Sequence, residues 1–80
     1  MISCQEYDYI EIACLYQLPV RLTLKNGQLV EGHAKDTVRN SDRQECLSLQ
    51  TSLGLQIVVL DELASMEATQ PNAYFDVVEF

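Results

Sequence analysis

What the chain has little of narrows its chemistry first. It holds only three glycines, Gly27, Gly32 and Gly54, so no glycine-rich loop can cradle a phosphate. Its one histidine, His33, offers no partners for a triad, and no serine stands where a base could activate it, so no catalysis is expected. Cys4, Cys14 and Cys46 make an odd count of three and form no C-x-x-C pair. That spacing argues against a structural zinc knuckle, and an odd count without a secretory leader argues against a closed disulfide framework. Reduced thiols, with no metal and no cofactor, are expected. No apolar run approaches the roughly 20 residues that cross a bilayer, so the chain reads as a cytoplasmic protein without a membrane segment. Two prolines and no low-complexity stretch leave no linker, and residues 1–80 are expected to form a single domain.

Basic residues are missing from both ends. All five, Arg21, Lys25, Lys35, Arg39 and Arg43, fall in one segment, where Glu31, Asp36 and Asp42 leave five positive charges against three negative, or +2. The flanks carry the other nine of the twelve acids and no base, and the chain as a whole stands at −7. Such a field repels phosphate backbones and draws basic partners. Direct nucleic-acid binding is therefore the weaker expectation, although acidity of this kind can also serve solubility alone. What is present in quantity is apolar: 48% hydrophobic residues against 21% charged place the chain among folded globular domains.

The periodicity then lays out the elements. Ser3 and Glu6 have capping-box spacing, as do Asp8 and Glu11, so a helix begins here, over about 6–17, with the sequence leaving the choice of cap open. Pro19 biases Leu18 out of the helical region and should end the helix near Gln17. Tyr9, Ile10, Ala13 and Cys14 share its apolar side, and Asp8, Glu11 and Leu15 lie roughly opposite.

After Pro19 the period drops to two. Val20, Leu22 and Leu24 alternate with Arg21, Thr23 and Lys25 as in a half-buried strand, and Asn26-Gly27 is suited to the turn of a hairpin whose second strand runs from Gln28 to Asp36. Gly32 within that strand predicts a bend or a close backbone approach. Residues Thr37 to Gln44 are expected as the longest exposed loop. Two further strands, Glu45–Thr51 and Gly54–Leu60, make a second hairpin, the latter expected to be buried on both faces. Asp61–Ala68 is ambiguous between strand and helical turn, and Tyr74–Phe80 reads as a last strand. One N-terminal α-helix followed by about five to six short antiparallel strands is the outline of a small, mostly β, strongly bent barrel over about 19–80.

The run PVRLTLKNGQLVEGHAKD resembles the first motif of the Sm-like fold, with Leu24-Lys25-Asn26-Gly27 at the turn, Gly32 at the bend and Asp36 closing the strand. A narrower likeness is carried by Cys4, Tyr7, Asp8, Glu11, Ala13 and Cys14 in the pattern C-x-x-Y-D-x-x-E-x-A-C, with L-x-L-K-N-G and LDELASME. Together these resemble the Rho-binding antiterminator family, Rof. The resemblance implies a non-enzymatic inhibitor of Rho-dependent transcription termination, and the chain is expected to act as a monomer. It would dock on the N-terminal domain of Rho and obstruct the primary RNA-binding site.

The residues suit that task. A site for single-stranded RNA offers a basic groove and stacking surfaces. Asp8 and Glu11, on one helical face, can stand in for phosphates toward Arg or Lys, Tyr7 can stack or hydrogen bond at the rim, and Glu6 adds charge for steering. Asn40 and Arg43 are a second candidate contact set. The bland reading assigns Asp8 to capping and the tyrosines to the core edge. Two other functions compete: an Sm-like RNA-binding protein, and a generic acidic protein-interaction module. The first is weakened by Leu60-Asp61-Glu62, which stands where an RNA-facing basic element would be, and by Asn40 lying four residues after Asp36 rather than three.

Overall fold

The structure, a computed structural model, describes residues 2–80. Helix α1 spans Cys4–Leu15 and is followed by strands β1 (Pro19–Leu24), β2 (Leu29–Arg39), β3 (Glu45–Thr51), β4 (Gly54–Val59), β5 (Leu63–Ala68) and β6 (Val77–Glu79), with a 3-10 turn at Leu60–Glu62. The six strands form one antiparallel sheet in the order β4-β3-β2-β1-β5-β6. The expectation of a mostly β domain with an N-terminal helix holds, but the ladder of hydrogen bonds does not close, and β4 and β6 remain its two edges. No helix among the described residues is long and apolar enough to cross a membrane.

Of the two possible caps, the chain uses the first. Ser3 Oγ accepts the Glu6 N–H at 3.2 Å, and the Ser3 N–H donates to Glu6 Oε1 at 2.9 Å. This reciprocal pair satisfies two donors that the first turn would otherwise leave open. The helix therefore starts at Cys4 rather than 6. It also stops at Leu15, ahead of the expected Gln17, because the chain turns left-handed at Gln17 (φ 49°). The Gln17 N–H bonds to the Cys14 carbonyl at 3.1 Å and the Leu18 N–H to that of Ala13 at 2.9 Å, the pairing of a Schellman stop. That position usually holds glycine, since a Cβ costs about 1–2 kcal/mol there. Gln17→Gly is accordingly expected to stabilise the fold by about 0.5–1 kcal/mol, after loss of the Lys35 Nζ to Gln17 Oε1 hydrogen bond; urea unfolding measures it.

The first hairpin forms as expected, by a variant turn. Only Gly27 takes a positive φ (88°); its N–H bonds to the Leu24 carbonyl at 2.8 Å, and Asn26 Oδ1 accepts the Gln28 N–H at 2.9 Å. Gly32 is indeed a close approach. A Cβ there would run into the Gln50 carbonyl oxygen and lie 3.1 Å from Leu49 Cγ.

Two expectations are corrected by pairing. β2 continues to Arg39, so Thr37, Val38 and Arg39 lie in a strand, matched to Leu47, Cys46 and Glu45, and the loop shrinks to residues 40–44. A register shift between Ala34 and Asp36 breaks the alternation, which is why the polar end of the strand reads as loop. β4 is not buried on both faces: Val58 is buried while Leu55 and Ile57 are exposed, because β4 has a neighbour on one side only.

The ambiguous stretch after Leu60 resolves into both alternatives, a 3-10 turn and then β5. The last strand is confined to Val77–Glu79. Ahead of it, Asn72 Oδ1 accepts the Tyr74 and Phe75 N–H groups at 2.7 and 3.0 Å, folding the segment back onto the helix. Phe75 meets Tyr9 edge-on at 6.0 Å between ring centroids, and Tyr74 stacks on Tyr16 at 4.9 Å. Beneath them, Ile10 and Ala13 of α1 join Val20, Leu22, Leu47, Leu49, Leu63 and Met66 in one core cluster. Burying side chains of this size contributes about 1.5–3 kcal/mol each, which fixes how α1 is rotated.

Candidate functional site

That rotation decides which helical residues face solvent. With Ile10 and Ala13 turned fully inward, Asp8 and Glu11 are exposed on the outer face, as is Leu15. Neither carboxylate is engaged in an ion pair or side-chain hydrogen bond among the described residues. Glu6 differs from them. Its carboxylate is held by the Ser3 N–H, so it serves the cap and is half-buried.

Tyr7 is half-buried and packs against the core cluster. It lines two adjoining grooves. The larger, about 360 Å³, is bounded by Ile2, Tyr7, Arg43, Gln44, Glu45, Leu60 and Asp61. The smaller, about 200 Å³, lies between Tyr7 and Thr37, Val38, Arg39 and Glu45. The structure thus brings Tyr7 and Arg43, far apart in sequence and expected in two separate contact sets, to one depression. Ile2, Glu45 and Leu60 were not anticipated there; single-sequence patterning contains no signal for them, because the groove is made by the packing of three elements.

The loop that delivers Arg43 is organised from within. Asn40 Oδ1 accepts the Asp42 and Gln44 N–H groups, both at 3.0 Å, and its amide donates to Gln44 Oε1 at 2.9 Å. Asn40 thereby shapes the loop. Arg43 adopts φ 64°, its N–H bonded to the Asn40 carbonyl at 2.9 Å. Arg39 spans the loop base, donating to the Arg43 carbonyl at 3.1 Å and to Glu45 Oε1 at 3.2 Å. Charge of both signs therefore borders Tyr7.

The acidic face extends beyond α1. Burial first, then the Asp36 and Glu11 carboxylates, push the Cys14 thiol up to about 11. β2 therefore adds Asp36 to the helical acids, at a distance short enough for Cys14 to sense both. At neutral pH this thiol is protonated and unreactive. Iodoacetamide labelling of Cys14 is expected to run at least about 10-fold slower at pH 8 than that of an ordinary free thiol and to rise until about pH 11. Asp36→Asn or Glu11→Gln should shift the profile to lower pH; site-resolved mass spectrometry reads it.

His33 is exposed on β2, opposite Pro19 and Gln50. Among the described residues no group of three or more His, Cys, Asp or Glu is placed to hold a metal ion. What the arrangement offers is recognition: an outward acidic stripe, an aromatic ring at its edge, and a polar loop.

Residues 1–80 match the family described as modulator of Rho-dependent transcription termination (ROF). Protein rof of Escherichia coli K12 is 31% identical over 64 residues, 80% of this chain and 75% of that protein, and Protein rof of Shigella flexneri gives the same figures. A solved structure, YaeO bound to magnesium from Vibrio cholerae O395, superposes with a TM-score of 0.90 at 47% identity, covering 92% of this chain and 96% of that one.

Proposed function

Because the chain belongs to the ROF family, described as modulator of Rho-dependent transcription termination, we propose that it binds Rho at the primary RNA-binding N-terminal domain and, without catalysing a reaction, reduces termination by blocking RNA access. It would do so in the cytoplasm, without metal or cofactor. The observation that supports this most is the exposed pair Asp8 and Glu11, which make no ion pair or side-chain hydrogen bond among the described residues and lie on the helix that also carries Tyr7 into the groove. Two carboxylates on one helical face fit a groove evolved for successive phosphates, and guanidinium or ammonium groups there would meet them in charge-assisted hydrogen bonds. Tyr7 and Arg43 then sit at the rim, where a ring can occupy a base-stacking surface.

RNA binding by the chain itself is disfavoured by charge, since the chain stands at −7 and the outer face of α1 presents Asp8 and Glu11 to any approaching phosphate. The test is a titration of Rho carrying a fluorescent pyrimidine-rich RNA. Anisotropy is expected to fall as the chain is added, while the chain alone leaves the RNA signal unchanged. Displacement should weaken as salt rises, because exposed charge pairs are screened over about 8 Å at physiological ionic strength. A ternary complex that retains RNA on Rho, or sub-micromolar binding of the RNA by the chain, overturns the reading.

A further inference from the structure

The outer face of α1 is not polar throughout. Its first half carries Asp8 and Glu11, but at about 100° per residue the same face continues through Leu15, with Ile12 and Tyr16 on its flank. Leu15 is 72% exposed and Tyr16 52%. Tyr74, delivered by the turn that Asn72 Oδ1 organises, stacks on Tyr16 with the ring planes 12° apart, yet it stays 43% exposed. A hydrogen bond to Tyr16 holds the Tyr74 phenol above its usual range, so the rings are tied through their hydroxyls as well as their faces. An exposed apolar patch bordered by charge is where a protein partner gains most on contact, and a pair of rings already held in place loses little freedom when one arrives.

We infer that Leu15 and the stacked Tyr16 and Tyr74 form a second contact for Rho, a seat for an arginine side chain of its RNA-binding groove next to the basic groups that meet Asp8 and Glu11. This rests on the proposed function and extends its interface. Position and charge select the occupant. Leu15 lies four residues, or about 6 Å along the helix axis, beyond Glu11, so a groove that engages both carboxylates runs on over it. Residues 1–20 and 44–80, which build the patch, contain no Lys or Arg. The last turn of α1 likewise carries no base, although the helix dipole favours a cation there. Lys35 reaches this end from β2 but is held by Gln17 Oε1 at 3.1 Å. A guanidinium can lie flat on a tyrosine face while its aliphatic stem covers Leu15, a fit that neither a carboxylate nor a compact ammonium matches.

Titration calorimetry of the full chain against Rho tests it, run below the melting transition of every variant so that all are folded. Tyr74→Leu keeps apolar volume but has no π face, and is expected to weaken binding about 5–10-fold. Tyr74→Phe loses the hydroxyl but keeps the face, and should bind within about 2-fold of the parent. Leu15→Ala, which removes the cover for the stem, should weaken binding about 2–5-fold. Parent-like binding by Tyr74→Leu or Leu15→Ala overturns the inference, and so does equal weakening by Tyr74→Phe and Tyr74→Leu, which would assign the ring to holding the C-terminal segment in place. In each of those cases Rho still binds the parent chain, so the proposed function stands. Rho that does not bind the parent chain at all overturns both.

Discussion

The double substitution Asp8→Lys, Glu11→Lys is expected to lower affinity for Rho by about 100-fold or more, because each reversal replaces an attraction inside a basic groove with a repulsion. A charge-assisted hydrogen bond contributes about 1.5–3 kcal/mol, and two such losses with added repulsion exceed the roughly 2.7 kcal/mol of a 100-fold change. The fold should scarcely respond. Both side chains are exposed, and exposed helical substitutions stay within about 0.5 kcal/mol. Circular dichroism and thermal melts therefore separate lost binding from lost structure. Glu6→Ala provides the contrast, since it removes the carboxylate that accepts the Ser3 N–H: it should cost about 0.5–1 kcal/mol of stability and change affinity little. Parent-like binding by the double variant would remove Asp8 and Glu11 from the interface.

That contrast marks the boundary of what patterning alone reveals. The acidic cluster is plain in the sequence, but which acids cap and which face outward depends on where the helix starts. Ser3 with Glu6 and Asp8 with Glu11 are equivalent by spacing, and only the folded chain shows that the first pair closes the cap. Local chemistry was otherwise legible. Alternation from Val20 to Leu24, the Asn26-Gly27 turn and both strands of the second hairpin depend on neighbours in sequence, and they are found at or near the expected residues. What was not legible is set by partners in space. The polar end of β2 is a strand because β3 lies beside it, and Leu55 and Ile57 are exposed because nothing lies beyond β4. The Tyr7 groove is of the same kind, joining Ile2, Arg43 and Leu60, which no periodicity relates.

Gly32 is a place where sequence and tertiary reasoning coincide, and its substitution carries the largest expected effect on stability. The residue pairs with Val20 of β1 and lies across from the end of β3, where the Gln50 carbonyl and Leu49 crowd the space a side chain would need. A methyl group there would lie 2.9 Å from the Gln50 carbonyl carbon, and backbone cannot rotate aside as a flexible side chain can. Relief would require β2 and β3 to separate at this point. Overpacking of this kind costs about 1–3 kcal/mol and more when backbone must move. Gly32→Ala is therefore expected to lower the melting temperature by about 10–20 °C, given about 4–8 °C per kcal/mol for a domain of this size. Gly27→Ala isolates the steric cause. Gly27 has a positive φ but nothing within 4 Å of its would-be Cβ, so the penalty is conformational only, about 1–2 kcal/mol. Affinity for Rho should fall in Gly32→Ala only as the folded fraction falls, and be parent-like below its transition, because Asp8 and Glu11 lie on α1 and not on the strands that would shift. A melting temperature for Gly32→Ala equal to or above that of Gly27→Ala would show that the sheet can open at this point without penalty, and that the close approach of β2 to Gln50 is not what holds the curvature.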